Sequence, residues 1–289
     1  MQDVSLPQFI LEAMLKHAQD KEAFVCGHSG RSVTYGALRE QVFKIAAALT
    51  AKGLGKGDVV ACLLPNLPEY PAVFLGTTLA GGVCTTINPV YTAHEVTHQF
   101  TDANAKFVVT VPLFLDNARE AQKQCPSLEE IFVFSADAPP EGTSSLLELI
   151  ASGVAEGFAP PSIDCKNDLA ALPYSSGTTG LSKGVMLSHA NIVSNLCQCI
   201  FNEKIVDCTS DDVILAVLPF FHVSLRGRLR GALPHAVLNT RSLQIYGMVL
   251  LMFMPLVKGA TVHTMMKMDA PREPAFLRAR PCKIDTVCI

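Results

Sequence analysis

The chain has 289 residues, of which 49% are hydrophobic and 17% charged, with a formal net charge of -3. These values describe an ordinary globular protein with a sizeable core in one large or two small domains, and they exclude the electrostatic footprint of a nucleic-acid binder. Its ten cysteines are scattered without a Cys-x-x-Cys pair, which points to buried, reduced thiols and a reducing compartment rather than a disulfide framework.

The N-terminus carries neither a basic head nor an apolar run, so no secretory leader is expected. Phe9, Ile10, Met14, Leu15 and Ala18 recur at helical spacing and predict a helix over Pro7 to Gln19. Thr34 is placed to cap a second helix whose stripe is Leu38, Val42, Ile45, Ala46 and Leu49, with Gly53 to Gly57 ending it. Asp58 to Leu64 reads as a buried strand, and Pro65-Asn-Leu-Pro68 turns the chain into a helix through Ala80.

A strand over Val83 to Ile87 follows, then Thr92-Ala-His-Glu95 in the form of a capping box for another helix. Strands at Lys106 to Val111 and Ile131 to Phe134 continue the rhythm, with irregular stretches at Ser135 to Ser144 and Gly153 to Asn167. Strands separated by helices imply crossover connections, so the expected fold class is α/β with mainly parallel sheets flanked by helices.

The stretch Tyr174-Ser-Ser-Gly-Thr-Thr-Gly-Leu-Ser-Lys-Gly-Val185 concentrates small hydroxyl residues and glycines ahead of a lysine. Glycines let successive backbone N–H groups converge on an anion, the hydroxyls add donors and Lys183 adds a mobile charge, which together suit a polyphosphate. The lysine lies three residues after Gly180, unlike the common P-loop, and apolar flanks on both sides predict a loop joining two strands. A helix is expected from Ala190 to about Phe201. Val213 to Leu218 reads as a strand that delivers Pro219-Phe-Phe-His222.

The twelve residues from Tyr174 to Val185 resemble the signature of the adenylate-forming superfamily, which includes acyl-CoA synthetases, 4-coumarate-CoA ligases, luciferases and amino-acid-adenylating domains. Leu218-Pro-Phe-Phe-His222 is similar to the family's second element, whose histidine lies beside the acyl group. By this resemblance Ser175, Ser176, Gly177, Thr178, Thr179, Gly180 and Lys183 would bind the ATP phosphates. His222 would be the catalytic histidine, Tyr246 and Gly247 would line the acid pocket, and Lys267 would contact coenzyme A. The implied reaction joins a small-molecule carboxylic acid to AMP, with pyrophosphate released, and passes the acyl group to the coenzyme A thiol.

In the family the histidine is followed directly by a segment like Ile245-Tyr-Gly-Met248. Here Val223 to Gln244 stand between them, four arginines among them, with no steady period. If translated, this insertion is expected to disturb the acyl pocket. The resemblance covers an incomplete N-terminal domain, residues 1–289, and resumes through Lys258 to Lys267, with a last strand expected over Lys283 to Ile289. The family's magnesium ligand, adenine pocket and small C-terminal domain are expected to be missing, so negligible turnover is expected of this chain alone. The alternatives are a catalytically dead nucleotide-binding remnant or another adenylate-forming enzyme. The longest apolar run, Met248 to Met254, is far too short for a membrane span. Cytoplasm and peroxisome both fit as locations.

Overall fold

The computed structural model describes residues 4–175, 181–201, 208–216, 218–221 and 247–265. The expected last strand, Lys283 to Ile289, and the insertion Val223 to Gln244 lie outside them.

A seven-stranded sheet forms the main body. In chain order its strands are β3 (Val59–Leu63), β4 (Val83–Thr86), β5 (Ala105–Thr110), β6 (Glu130–Val133), β7 (Ser144–Ser145), β8 (Leu169–Ala171) and β11 (Leu187–Ser188), arranged β11-β8-β4-β3-β5-β6-β7. Every pairing is parallel except β11 with β8. A second sheet, ordered β12-β13-β1-β2, joins β1 (Glu22–Cys26) and β2 (Ser32–Thr34) to β12 (Val213–Ala216) and β13 (Thr261–Thr264). The α/β architecture with mainly parallel sheets is therefore present.

Successive strand residues face opposite sides, and β3 shows how this partitions the core. Val60 and Cys62 join the cluster under α1 (Leu6–Met14), α2 (Tyr35–Ala51) and α3 (Tyr70–Leu79), whereas Val59, Ala61 and Leu63 join the cluster under α4 (Ala93–Asp102) and α5 (Leu115–Gln122). Burial on both faces explains why β3 reads as a continuous apolar run. Cys62 and Cys84 meet at 3.1 Å between sulfurs, and burial pushes the Cys84 thiol up. No disulfide joins any of the eight cysteines among the described residues.

The local helix signals hold. The Thr34 hydroxyl accepts from the Ala37 N–H at 3.2 Å, and Thr92 with Glu95 closes a full capping box. The first helix is shorter than its apolar stripe suggests, ending at Met14 rather than Gln19. Gln19 is the reason: its amide donates to the Met14 carbonyl at 3.1 Å and its own carbonyl accepts from the Gly36 N–H at 2.8 Å, which turns the chain toward β1. β7, at the end of the first irregular stretch, and a short helix between the two stretches, α6 (Leu146–Ser152), capped by Ser145, were not expected.

The Met248–Met254 run is buried. A π-helix (Gly247–Phe253) leads into α8 (Met254–Lys258), and Phe253 packs edge-on against Phe74 of α3 with centroids 5.2 Å apart. Among the described residues no helix is long and apolar enough to cross a membrane.

His189 opens α7 (His189–Phe201) and is 1% exposed; its Nδ1 accepts from the Leu6 N–H at 3.1 Å. Burial, the largest influence, holds its pKa down at about 4, and the Lys56 cation adds to this while Asp168 opposes it. The unfolded chain binds this proton near pH 6.5 and the folded one does not, so stability is full above that pH and falls as pH drops toward 4. Between pH 7.5 and 4.5 this residue is expected to remove about 2 to 3 kcal/mol, and His189→Gln to flatten that part of the profile. Urea unfolding of both proteins across the range measures the difference.

Candidate functional site

The glycine-rich stretch leaves the carboxyl end of β8, where ligands of open parallel sheets gather. Its legs form an antiparallel hairpin of β9 (Tyr174–Ser175) and β10 (Lys183–Gly184), so the loop does join two strands. The register sets Ser175 directly across from Lys183 and Tyr174 across from Gly184. Cross-strand partners share a face, so Ser175 and Lys183 stand side by side at the base of the loop, with Lys183 exposed. Ser176, Gly177, Thr178, Thr179 and Gly180 lie outside the described residues.

The opposite face is clamped to α4. The Tyr174 hydroxyl donates to Asp102 Oδ2 at 2.5 Å, and the ring stands edge-on to His98 at 6.4 Å. Burial first, and the Asp102 carboxylate second, push the Tyr174 hydroxyl well above its usual range, so it stays a donor. His98 Nε2 lies 3.0 Å from the Ser182 carbonyl oxygen. A Cβ at Gly184 would press on the Tyr174 ring at 3.2 Å, so glycine gives that ring its place.

The second element arrives from β12. Asn66, 4% exposed, holds it by three hydrogen bonds: its amide donates to the Ala216 and Leu218 carbonyls at 3.1 and 3.0 Å, and its Oδ1 accepts from the Phe220 N–H at 2.8 Å. Both elements are tied to successive residues of β4. The Thr85 hydroxyl donates to the Leu172 carbonyl at 2.7 Å and itself accepts from Gln99, while the Thr86 hydroxyl donates to the Phe221 carbonyl at 3.3 Å. The carboxyl end of β4 is thus where the Tyr174–Gly184 hairpin and the segment leading to His222 come together.

His222, Tyr246 and Lys267 lie outside the described residues. Gly247 does not, and it is buried against the strand end: a Cβ there would overlap the Pro219 carbonyl oxygen and press on its carbon. The two flanks of the Val223 to Gln244 segment are therefore in contact at Pro219 and Gly247. Among the described residues no group of three His, Cys, Asp or Glu side chains could hold a metal.

Asn66, Thr85, Thr86, His98, Gln99 and Asp102 were not singled out by sequence reasoning. One signal was present: Gln99 sits on the buried stripe of α4 with Val96 and Phe100, where an unpaired amide would be costly.

This architecture, a mainly parallel α/β body with a Ser/Thr/Gly hairpin at its carboxyl edge, is that of the N-terminal part of the adenylate-forming enzymes. The profile of the family described as AMP-binding enzyme matches residues 11–233, and the chain belongs to that family. It is 39% identical over 223 residues to the 4-coumarate-CoA ligase-like 9 protein of Oryza sativa subsp. japonica, covering 76% of this chain and 39% of the relative. ATP-bound MatB from Rhodopseudomonas palustris superposes with a TM-score of 0.69 at 27% identity, over 92% of this chain and 46% of that one. A benzoate CoA ligase from Burkholderia xenovorans LB400 shares the fold, with a TM-score of 0.74 at 20% identity over 95% of this chain and 48% of the other. The chain thus spans less than half the length of these relatives.

Asn66→Ala is expected to remove this partner from the part-buried Leu218 carbonyl and the buried Phe220 N–H and to leave the Ala216 carbonyl with the Met265 N–H alone, destabilising the chain by about 2 to 4 kcal/mol. Chemical denaturation checks this.

Proposed function

We propose that this chain contributes the polyphosphate-binding hairpin and part of the acid-side wall of an ATP-dependent acid-CoA ligase. The observation that carries the reading is the convergence at β4 of the Ser175/Lys183 hairpin and the segment leading to His222. Family membership, the 4-coumarate-CoA ligase relatives and the ATP-bound relative support it.

In this reading the Gly177 to Gly180 amides, the hydroxyls of Ser175, Ser176, Thr178 and Thr179, and Lys183 hold the phosphates of ATP. Negative charge builds on the departing pyrophosphate as the acid's carboxylate attacks the α-phosphorus, and fixed donors stabilise that charge without having to reorganise. Tyr174 and His98 act as positioning residues. By anchoring the hairpin legs to α4, they fix the loop's base relative to the carboxyl end of β4.

On the acid side, His222 and the Tyr246–Gly247 pair face the acyl group, and Lys267 faces coenzyme A. The Asn66 hydrogen bonds set where the His222 segment enters, and the absence of a side chain at Gly247 brings the Tyr246 segment against it.

ATP and inorganic tripolyphosphate are expected to bind the purified chain, and Lys183→Ala to weaken both by at least about tenfold, or 1.4 kcal/mol. Tyr174→Phe is expected to weaken them less, because it acts only through the loop's placement. Isothermal titration calorimetry measures this, and an unchanged affinity in Lys183→Ala overturns the phosphate assignment.

A further inference from the structure

A cavity of about 440 Å³ lies between α1, α2, the end of α3 and the extended segment 160–165. None of its lining residues belongs to the hairpin, to α4 or to the segment leading to His222. Its volume is within the range of small-molecule sites. Leu11, Phe43, Leu79 and Ile163 give it apolar walls, and Leu15, 57% exposed, continues the apolar surface outward.

One cationic group lines it. Arg39 joins no ion pair among the described residues, although Glu40 and Lys44 on the same helix pair with each other at 2.7 Å. Its Nε is buried and has no hydrogen-bond partner. A buried guanidinium nitrogen without an acceptor is costly, and the planar fork of arginine matches a carboxylate.

We propose that this cavity binds an amphiphilic monocarboxylate, with its carboxylate on Arg39 and its hydrocarbon body between Leu11, Phe43 and Leu79. The charge balance selects this class. Glu12 also lines the cavity, exposed at its edge and held by Gln8 Nε2 at 2.8 Å, so a dianion would meet one cation and one carboxylate. A single charge placed on Arg39, with an uncharged body elsewhere, avoids that repulsion.

The wall opposite the helices is fixed by packing. Pro161 lies over Gly81, where a Cβ would meet the proline Cγ at 2.9 Å. Beyond it, Asp168 receives the Asp164 N–H at 2.7 Å and pairs with Lys56 at 2.7 Å before the chain enters β8. The cavity therefore borders the segment from which the hairpin emerges, but it stands on different residues and does not depend on the ligase reading.

The test is calorimetric titration of the whole chain with octanoate, octylammonium and 1-octanol. Octanoate is expected to saturate a site that Arg39→Gln weakens by at least about tenfold, while 1-octanol binding changes less than about twofold. Arg39→Lys is expected to fall between wild type and Arg39→Gln, because it keeps the charge without the fork. Glu12→Gln, at an exposed position, is expected to tighten octanoate. Equal octanoate affinity in wild type and Arg39→Gln, tighter binding of octylammonium than octanoate, or no saturable octanoate binding overturns the proposal.

Discussion

The constraint on which the site depends is the need to satisfy main-chain polar groups where two irregular segments pack onto the carboxyl end of a buried sheet. Residues 172–175 and 218–221 bring carbonyls and N–H groups into this region without a full ladder of their own. Each such group left without a partner costs about 1 to 3 kcal/mol. The partners come from the sheet itself and from the turn beyond it: Thr85 for Leu172, Thr86 for Phe221, and Asn66 for Ala216, Leu218 and Phe220. Gln99 extends the arrangement by donating to both the Thr85 hydroxyl and the Thr86 carbonyl, which binds α4 to the same strand end. The satisfaction of these groups and the positioning of the two motifs are one set of hydrogen bonds.

What could be read in the sequence is what is settled locally. The Thr34 cap and the Thr92–Glu95 box depend on residues three apart, and β3 declares itself by an apolar run. The hairpin was legible from its composition and flanks, and the register adds the pairing of Ser175 with Lys183. The end of α1 was not legible, because the apolar stripe runs on to Ala18 while Gln19 stops the helix through a bond to Gly36 on another element. The second sheet was equally hidden: β1 pairs with β13, so Phe24 meets Val262 across most of the chain. Asn66 looks like an ordinary turn residue between two prolines until the Phe220 segment is placed over it.

The junction at Gly247 bears on the unusual segment that precedes it. Closing a longer loop costs only about 0.6 kcal/mol per doubling of its length, so the body of the protein loses little stability to an excursion between fixed points. The fixed points are strong here. Asn66 secures one side by three hydrogen bonds, and on the other side Gly247 lies so close to the Pro219 carbonyl that only a residue without a Cβ fits. The fully buried π-helix then carries Met248, Met252 and Phe253 into the main core, beside α3 and α7. Separation of the two flanks would therefore cost both the hydrogen bonds of Asn66 and the burial of that apolar turn, which is why Pro219 and Gly247 stay in contact.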